Sequence, residues 1–262
     1  MKTIGSADGT VIAVEVAGEG PPLLLLSGGS ADHHNWDRVT PLFATHFTTY
    51  GVDRRGRGQS DDCSEPGGDD LAREVEDINA VIDHVGEPMH VLGHSGGAVC
   101  ALEAALQGAD VGALILYEPP LDVSPTFPRG LADELQPFAD AGDMEGVLVA
   151  FLRNGPRLPE AEITSMRAGH SWQPRVADAL RILREIRLVE AYRPDEMRLQ
   201  RYDGAVLLLI GTATAPHTLA ATGYLSDALR NARVVTMQGE GHMAMHTAPE
   251  VLAGEVASFV AA

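Results

Sequence analysis

Short apolar runs bounded by glycine or polar clusters recur along the chain, and amphipathic segments lie between them. That alternation predicts a mostly parallel sheet with helices on both faces. Val11–Val16, which follows the turn Ala7-Asp8-Gly9, predicts an early antiparallel strand. Leu23–Leu26, Thr48–Val52, Met89–Leu92, Ala113–Tyr117, Ala205–Ile210 and Val234–Met237 predict parallel strands. Several are apolar throughout, as strands covered on both faces are. Asp70–Val85 sets Leu71, Val75, Ile78, Val81, Ile82 and Val85 on one helical face, and Gly86 supplies the stop. The small-residue run Ala98–Leu106 predicts a second helix and Pro249–Val260 the closing one.

One stretch breaks the alternation. Between Tyr117 and Ala205 the pattern contains no convincing strand, and at least three helical segments stand out: Leu131–Phe138, Met144–Phe151 and Val176–Ala191. The stretch is far too long for a connecting loop. It predicts a core of residues 1–120 and 201–262 with a helical cap over 121–200. Such a cap would cover the carboxyl edge of the sheet, exclude water and shape substrate choice.

Composition narrows the function classes. A chain of 262 residues with 45% hydrophobic content can bury one substantial core. Its net charge of -18 disfavours nucleic acid and anionic membrane surfaces as partners. Cys63 and Cys100 form no disulfide framework, and no run of apolar residues reaches membrane-spanning or signal-peptide length. The expectation is a cytoplasmic protein whose partner is a small molecule.

Candidate chemistry concentrates at Gly93-His94-Ser95-Gly96-Gly97, between a predicted strand and a predicted helix. A serine between glycines on a strand-to-helix turn is held in a strained conformation that exposes its hydroxyl at the sheet edge. The N-terminus of the next helix lends dipole and free N–H groups there. A serine hydroxyl needs a base, and the base needs an acid to hold its tautomer. Of ten histidines, His242 is the best placed, in Gly239-Glu240-Gly241-His242-Met243 just past the last strand. Gly96 and Gly29 are the expected backbone donors to a developing oxyanion, Gly29 lying in the loop Ser27-Gly28-Gly29-Ser30. His33, His34, Trp36, His94 and Trp172 are candidates for the pocket wall, with a structural role favoured for His94. His246 is expected to cap or to be exposed. Asp32, His33 and His34 could bind a cation in principle, but neighbouring histidines in extended chain point apart, so no metal site and no cofactor is expected.

Five separated pieces resemble the α/β-hydrolase superfamily along essentially the whole chain: Ser27-Gly28-Gly29, Asp53-Arg54-Arg55-Gly56-Arg57-Gly58-Gln59-Ser60, Gly93 to Gly97, Glu118-Pro119-Pro120 and Gly239-Glu240-Gly241-His242. The resemblance implies an eight-stranded, mostly parallel α/β-hydrolase fold with a helical lid, Ser95 as nucleophile and His242 as base. It also implies a structural role for the turn that starts at Asp53. Two departures stand out. The oxyanion loop has Ser27-Gly28 where the family usually has His-Gly. The family's usual aspartate after the strand ending at Ile210 is missing from Gly211-Thr212-Ala213-Thr214-Ala215-Pro216. Glu118, at the tip of the preceding strand, is the candidate replacement, in a position that some haloalkane dehalogenases of the superfamily use. Otherwise the site is a Ser-His dyad. The expected activity is serine hydrolysis of an ester, lactone or related acyl group of moderately hydrophobic character. The alternatives are carbon–carbon bond hydrolysis, a non-hydrolytic lyase or cyclase, and a ligand-binding protein that has lost catalysis.

Overall fold

A computed structural model describes residues 1–63 and 70–262. Its strands are β1 (Lys2–Gly5), β2 (Val11–Ala17), β3 (Pro22–Leu26), β4 (Thr48–Val52), β5 (Met89–His94), β6 (Val111–Tyr117), β7 (Ala205–Gly211) and β8 (Ala232–Met237). They form one sheet in the order β1-β2-β4-β3-β5-β6-β7-β8. The pairs β1/β2 and β2/β4 are antiparallel and the rest parallel. The apolar runs thus mark seven of the eight strands. Lys2–Gly5 lacks such a run because an edge strand buries only one side chain, Ile4.

The helices are α1 (Thr40–Phe43), α2 (Asp70–Val85), α3 (Gly96–Leu106), α4 (Leu131–Asp140), α5 (Met144–Asn154), α6 (Glu160–Arg167), α7 (Trp172–Ala177), α8 (Ala179–Ala191), α9 (Glu196–Arg201), α10 (Pro216–Ala228), α11 (Ala244–Thr247) and α12 (Pro249–Val260). Leu24, Leu26, Val91 and Leu114 pack with α2 and α3 on one face of the sheet, while Leu23, Leu25, Leu92 and Ile115 point to the other. That two-sided burial is why β3 and β5 read as unbroken apolar runs.

Helices α4 to α9 fill the segment between β6 and β7 with no strand among them. The single helix expected over Val176–Ala191 is broken at Asp178, whose φ of -90° and ψ of 8° end α7 and start α8. The Asp178 carboxylate accepts a hydrogen bond from the backbone of Gly58 in the core, so a contact distant in sequence interrupts a locally continuous pattern. Among the described residues, no helix is long and apolar enough to cross a membrane.

Candidate active site

Strand ends bring the expected residues to one edge. Ser95 sits between β5 and α3 with φ 54° and ψ -124°. A Cβ on Gly93 would press on the Ala98 backbone and one on Gly97 on the carbonyls of Leu26 and Ser27, so the turn closes only with glycines at both places. Glu118 follows β6 directly, and its φ of 50° makes it one of three non-glycine residues with positive φ among the described residues. Such strain persists only where surrounding structure holds it. The hold is visible: Glu118 N–H donates to the Leu209 carbonyl, and Glu118 Oε1 accepts from Gly211 N–H at 3.0 Å.

Glu118 Oε2 lies 2.7 Å from His242 Nδ1, with the Glu118 side chain fully buried. The carboxylate thereby reaches across from the tip of β6, past the end of β7, to the loop after β8. His242 Nε2 remains as the ring nitrogen available to Ser95. Both residues line the same cavities, although no hydrogen bond joins them. Such bonds are often long without substrate.

His94 is buried beneath His242, its ring centroid 4.5 Å away, and its Nε2 lies 2.9 Å from the His242 carbonyl. Burial pushes the His94 imidazole well below its usual pKa. A neutral ring there, donating from Nε2, supports the loop that carries His242. Tyr117 hydroxyl donates to the Gly241 carbonyl and accepts from Ala244 N–H, holding that loop from a second side.

Two lobes open at Ser95 and His242. The apolar lobe is walled mainly by Phe127, Leu131, Phe151, Ile186 and Val189, with Glu185 and Glu190 also on its lining. The second, polar lobe is smaller and also largely apolar in its lining, with Leu152, Leu158, Met166 and Met243 among its walls; it takes its name from Ser30, Asn35, His94 and Arg175, which it exposes beside Gly28 and Gly29.

The expected pocket wall needs correction. His94 does line the polar lobe, but His33, Trp36 and Trp172 line neither. His33 is turned into the protein, with Nδ1 2.6 Å from Asp53 Oδ1. Trp36 and Trp172 are core residues, at 0% and 2% exposure. His34 faces an outer cleft with Arg38, Glu162 and His246. The rings of His33 and His34 do not point apart, since a tight turn over His33–Trp36 brings their centroids to 4.0 Å. With Asp32 they could place ligand atoms within 4.8 Å of one another. Each of the three already has a hydrogen-bond partner: His33 Nδ1 on Asp53, His34 Nδ1 on Asp37, and Asp32 under the His34 N–H. His246 is half-buried in α11 rather than a cap of α12, with Nε2 3.1 Å from Asn35 Oδ1.

The turn starting at Asp53 is built from its own side chains. Asp53 accepts from His33 and Gln59 N–H groups, and Arg55 pairs with Asp77 and Asp8. Arg54 reaches further. It forks onto Glu74 of α2, donates to the Ser27 carbonyl beside Gly28 and Gly29, and meets Glu185 Oε2 of α8 at 2.8 Å. Arg57 also donates to Glu185 Oε2.

Glu185 is a residue that the motif pattern does not reveal. Its Oε1 lies against the side-chain face of Gly29 and Gly96: a Cβ on Gly29 would come within 3.0 Å of it, and one on Gly96 would overlap it. A signal did exist, because Glu185 falls on the buried stripe of α8 with Ile182, Ile186 and Val189. A carboxylate on an apolar stripe demands a partner. Arg175, 7% exposed on the short helix α7, left no comparable signal.

The comparisons agree with this architecture. Residues 23–255 match the model of the alpha/beta hydrolase family, and the chain belongs to that family. A crystal structure of an alpha/beta hydrolase from Sphaerobacter thermophilus is 29% identical, with a TM-score of 0.87 over 98% of this chain and 99% of that one. A non-heme chloroperoxidase from Streptomyces lividans is 28% identical over 99% of both chains. The probable oxidoreductase EphD of Mycobacterium tuberculosis is 37% identical over 102 residues, which cover 37% of this chain but only 17% of that protein. Family membership and hydrolase-named relatives support an enzyme.

Proposed function

We propose that the chain is a serine hydrolase that cleaves a carboxylic ester, lactone or related acyl substrate through an acyl-enzyme. The observation that carries this reading is the 2.7 Å contact of Glu118 with His242 Nδ1, in a cavity shared with a serine held at φ 54°. In this reading His242 takes the Ser95 proton as Oγ bonds to the acyl carbon, and the carbonyl electron pair moves onto oxygen. The amides of Gly29 and Gly96 hold that oxygen. His242 then protonates the departing alkoxide, and later takes a proton from the water that releases the acid. Glu118 fixes the tautomer and stabilises the imidazolium.

A fluorophosphonate should label wild type at Ser95 and leave Ser95→Ala unlabelled; an unlabelled, folded wild type would end this reading. A second reading, a lyase or cyclase, draws on Glu185 as another acid–base group inside the cavity. Product formed in H₂¹⁸O distinguishes the two, because only hydrolysis incorporates the label.

A further inference from the structure

Arg175 is a buried cation without a counterion. Nη1 donates to the Ser30 carbonyl at 2.9 Å and to Ser30 Oγ at 3.2 Å, and Nη2 donates to Asn35 Oδ1 at 3.1 Å. All three acceptors are neutral, and among the described residues no carboxylate stands within ion-pair distance. The other buried arginines behave differently: Arg54, Arg55 and Arg57 are each paired with one or more carboxylates. Asp32 acts on Arg175 only through space, and burial lowers the guanidinium pKa to about 10. Beside it Asn35, 1% exposed, holds its amide Nδ2 without a partner. Both residues line the polar lobe that ends at Ser95 and His242. An uncompensated charge and an unmet donor in one small lobe describe a site completed by an anionic acceptor.

Glu185, also close to Gly29, does not oppose such an anion with a free charge, because Arg54 and Arg57 both hold it. The polar lobe is the smaller of the two and takes the shorter part of a substrate, and the apolar lobe takes the larger departing group.

We propose that the polar lobe is a carboxylate-binding subsite formed by Arg175 and Asn35, and that the substrate's acyl chain is short and ends in a carboxylate. This rests on Ser95 being the acyl acceptor. The scissile carbonyl meets Ser95 while the far carboxylate meets Arg175 and the departing group lies among Phe127, Leu131 and Ile186.

The test compares p-nitrophenyl hydrogen glutarate with p-nitrophenyl pentanoate, which differ in shape little and in charge by one. Wild type should prefer the glutarate in kcat/KM. In Arg175→Met the ratio of the two kcat/KM values should fall about 100-fold, the scale of losing one partner of a buried charge pair. Arg175→Lys should recover part of it. The ratio is internal to each variant, so a general loss of folded protein cancels. A ratio that Arg175→Met leaves unchanged overturns the subsite. If no ester is turned over and Ser95 resists labelling, the acyl-transfer reading has failed, and calorimetry then decides the subsite separately. Methyl hydrogen glutarate should bind wild type and not Arg175→Met, whereas equal or absent binding in both overturns it.

Discussion

The core side and the cap side of the cavity are held by different means. On the core side, Ser95 and Glu118 sit at the carboxyl ends of β5 and β6 on backbone hydrogen bonds to Tyr117 and Leu209, and the His242 loop past β8 rests on the His94 and Tyr117 side chains beneath it. On the cap side, Glu185 and Arg175 are positioned by side-chain polar bonds to Arg54, Arg57, Ser30 and Asn35. Parallel strands fix Cα positions to within the register of the sheet, so groups on their tips keep one geometry. Guanidinium and carboxylate pairs fix the seam between two bodies and leave it adaptable. On the proposed reading, reaction belongs to the core edge and selection to the cap.

The largest effects should come from the core edge. Ser95→Ala and His242→Ala should each lower kcat for p-nitrophenyl pentanoate by roughly 10⁶-fold, as for groups that act as a unit. Glu118→Gln should cost about 10⁴-fold, since the imidazole loses its orienting acid. A Glu118→Gln enzyme as fast as wild type would mean a dyad and would remove β6 from the comparison.

Cap-side changes should register in stability before rate. Glu185→Gln leaves Arg54 and Arg57 with Glu74 as their remaining acid, and should cost about 3 kcal/mol in urea unfolding. Its effect on kcat should stay below roughly tenfold, because no step assigns Glu185 a proton. A kcat loss matching that of Glu118→Gln would erase the distinction between the two sides.

The smallest effect concerns acid. Burial lowers His217 and His246 to a pKa of about 4, below the unfolded value of 6.5. Their contribution is therefore present above pH 6.5 and is lost as pH falls toward about 4, since the unfolded chain takes up protons first. Asp77, raised to about 6 by burial, acts with the opposite sign, favouring the fold at low pH and losing that as pH rises through 6. Two imidazoles against one carboxyl leave a net loss of roughly 2 kcal/mol between pH 7 and 4.5. Urea unfolding at the two pH values checks this, and His217→Gln with His246→Gln should reverse its sign, leaving Asp77's gain toward low pH.

Much of the core edge was legible in the chain. Gly93 and Gly97 announce the turn at Ser95, because no other residue lets strand and helix approach there. Glu118 could be picked out because the usual acid position, Gly211 to Pro216, lacks a carboxylate while the neighbouring strand tip has one. The wall was less legible. Residue type alone pointed to His33, Trp36 and Trp172, and the structure sends His33 to Asp53 and both tryptophans into the core.

Sequence alone determined the order of strands and helices, the family, and the strand tips on which Ser95, Glu118 and His242 stand, because apolar period and glycine placement act over a few residues. Only the tertiary structure decided that Glu185 lies over Gly29 and Gly96 and that Arg175 faces the polar lobe without a counterion. Those positions are separated from their partners by more than a hundred residues in cases such as Arg54 with Glu185 and Arg175 with Ser30. Their placement follows from burying charge where the cap meets the core, and that condition exists only once both are folded.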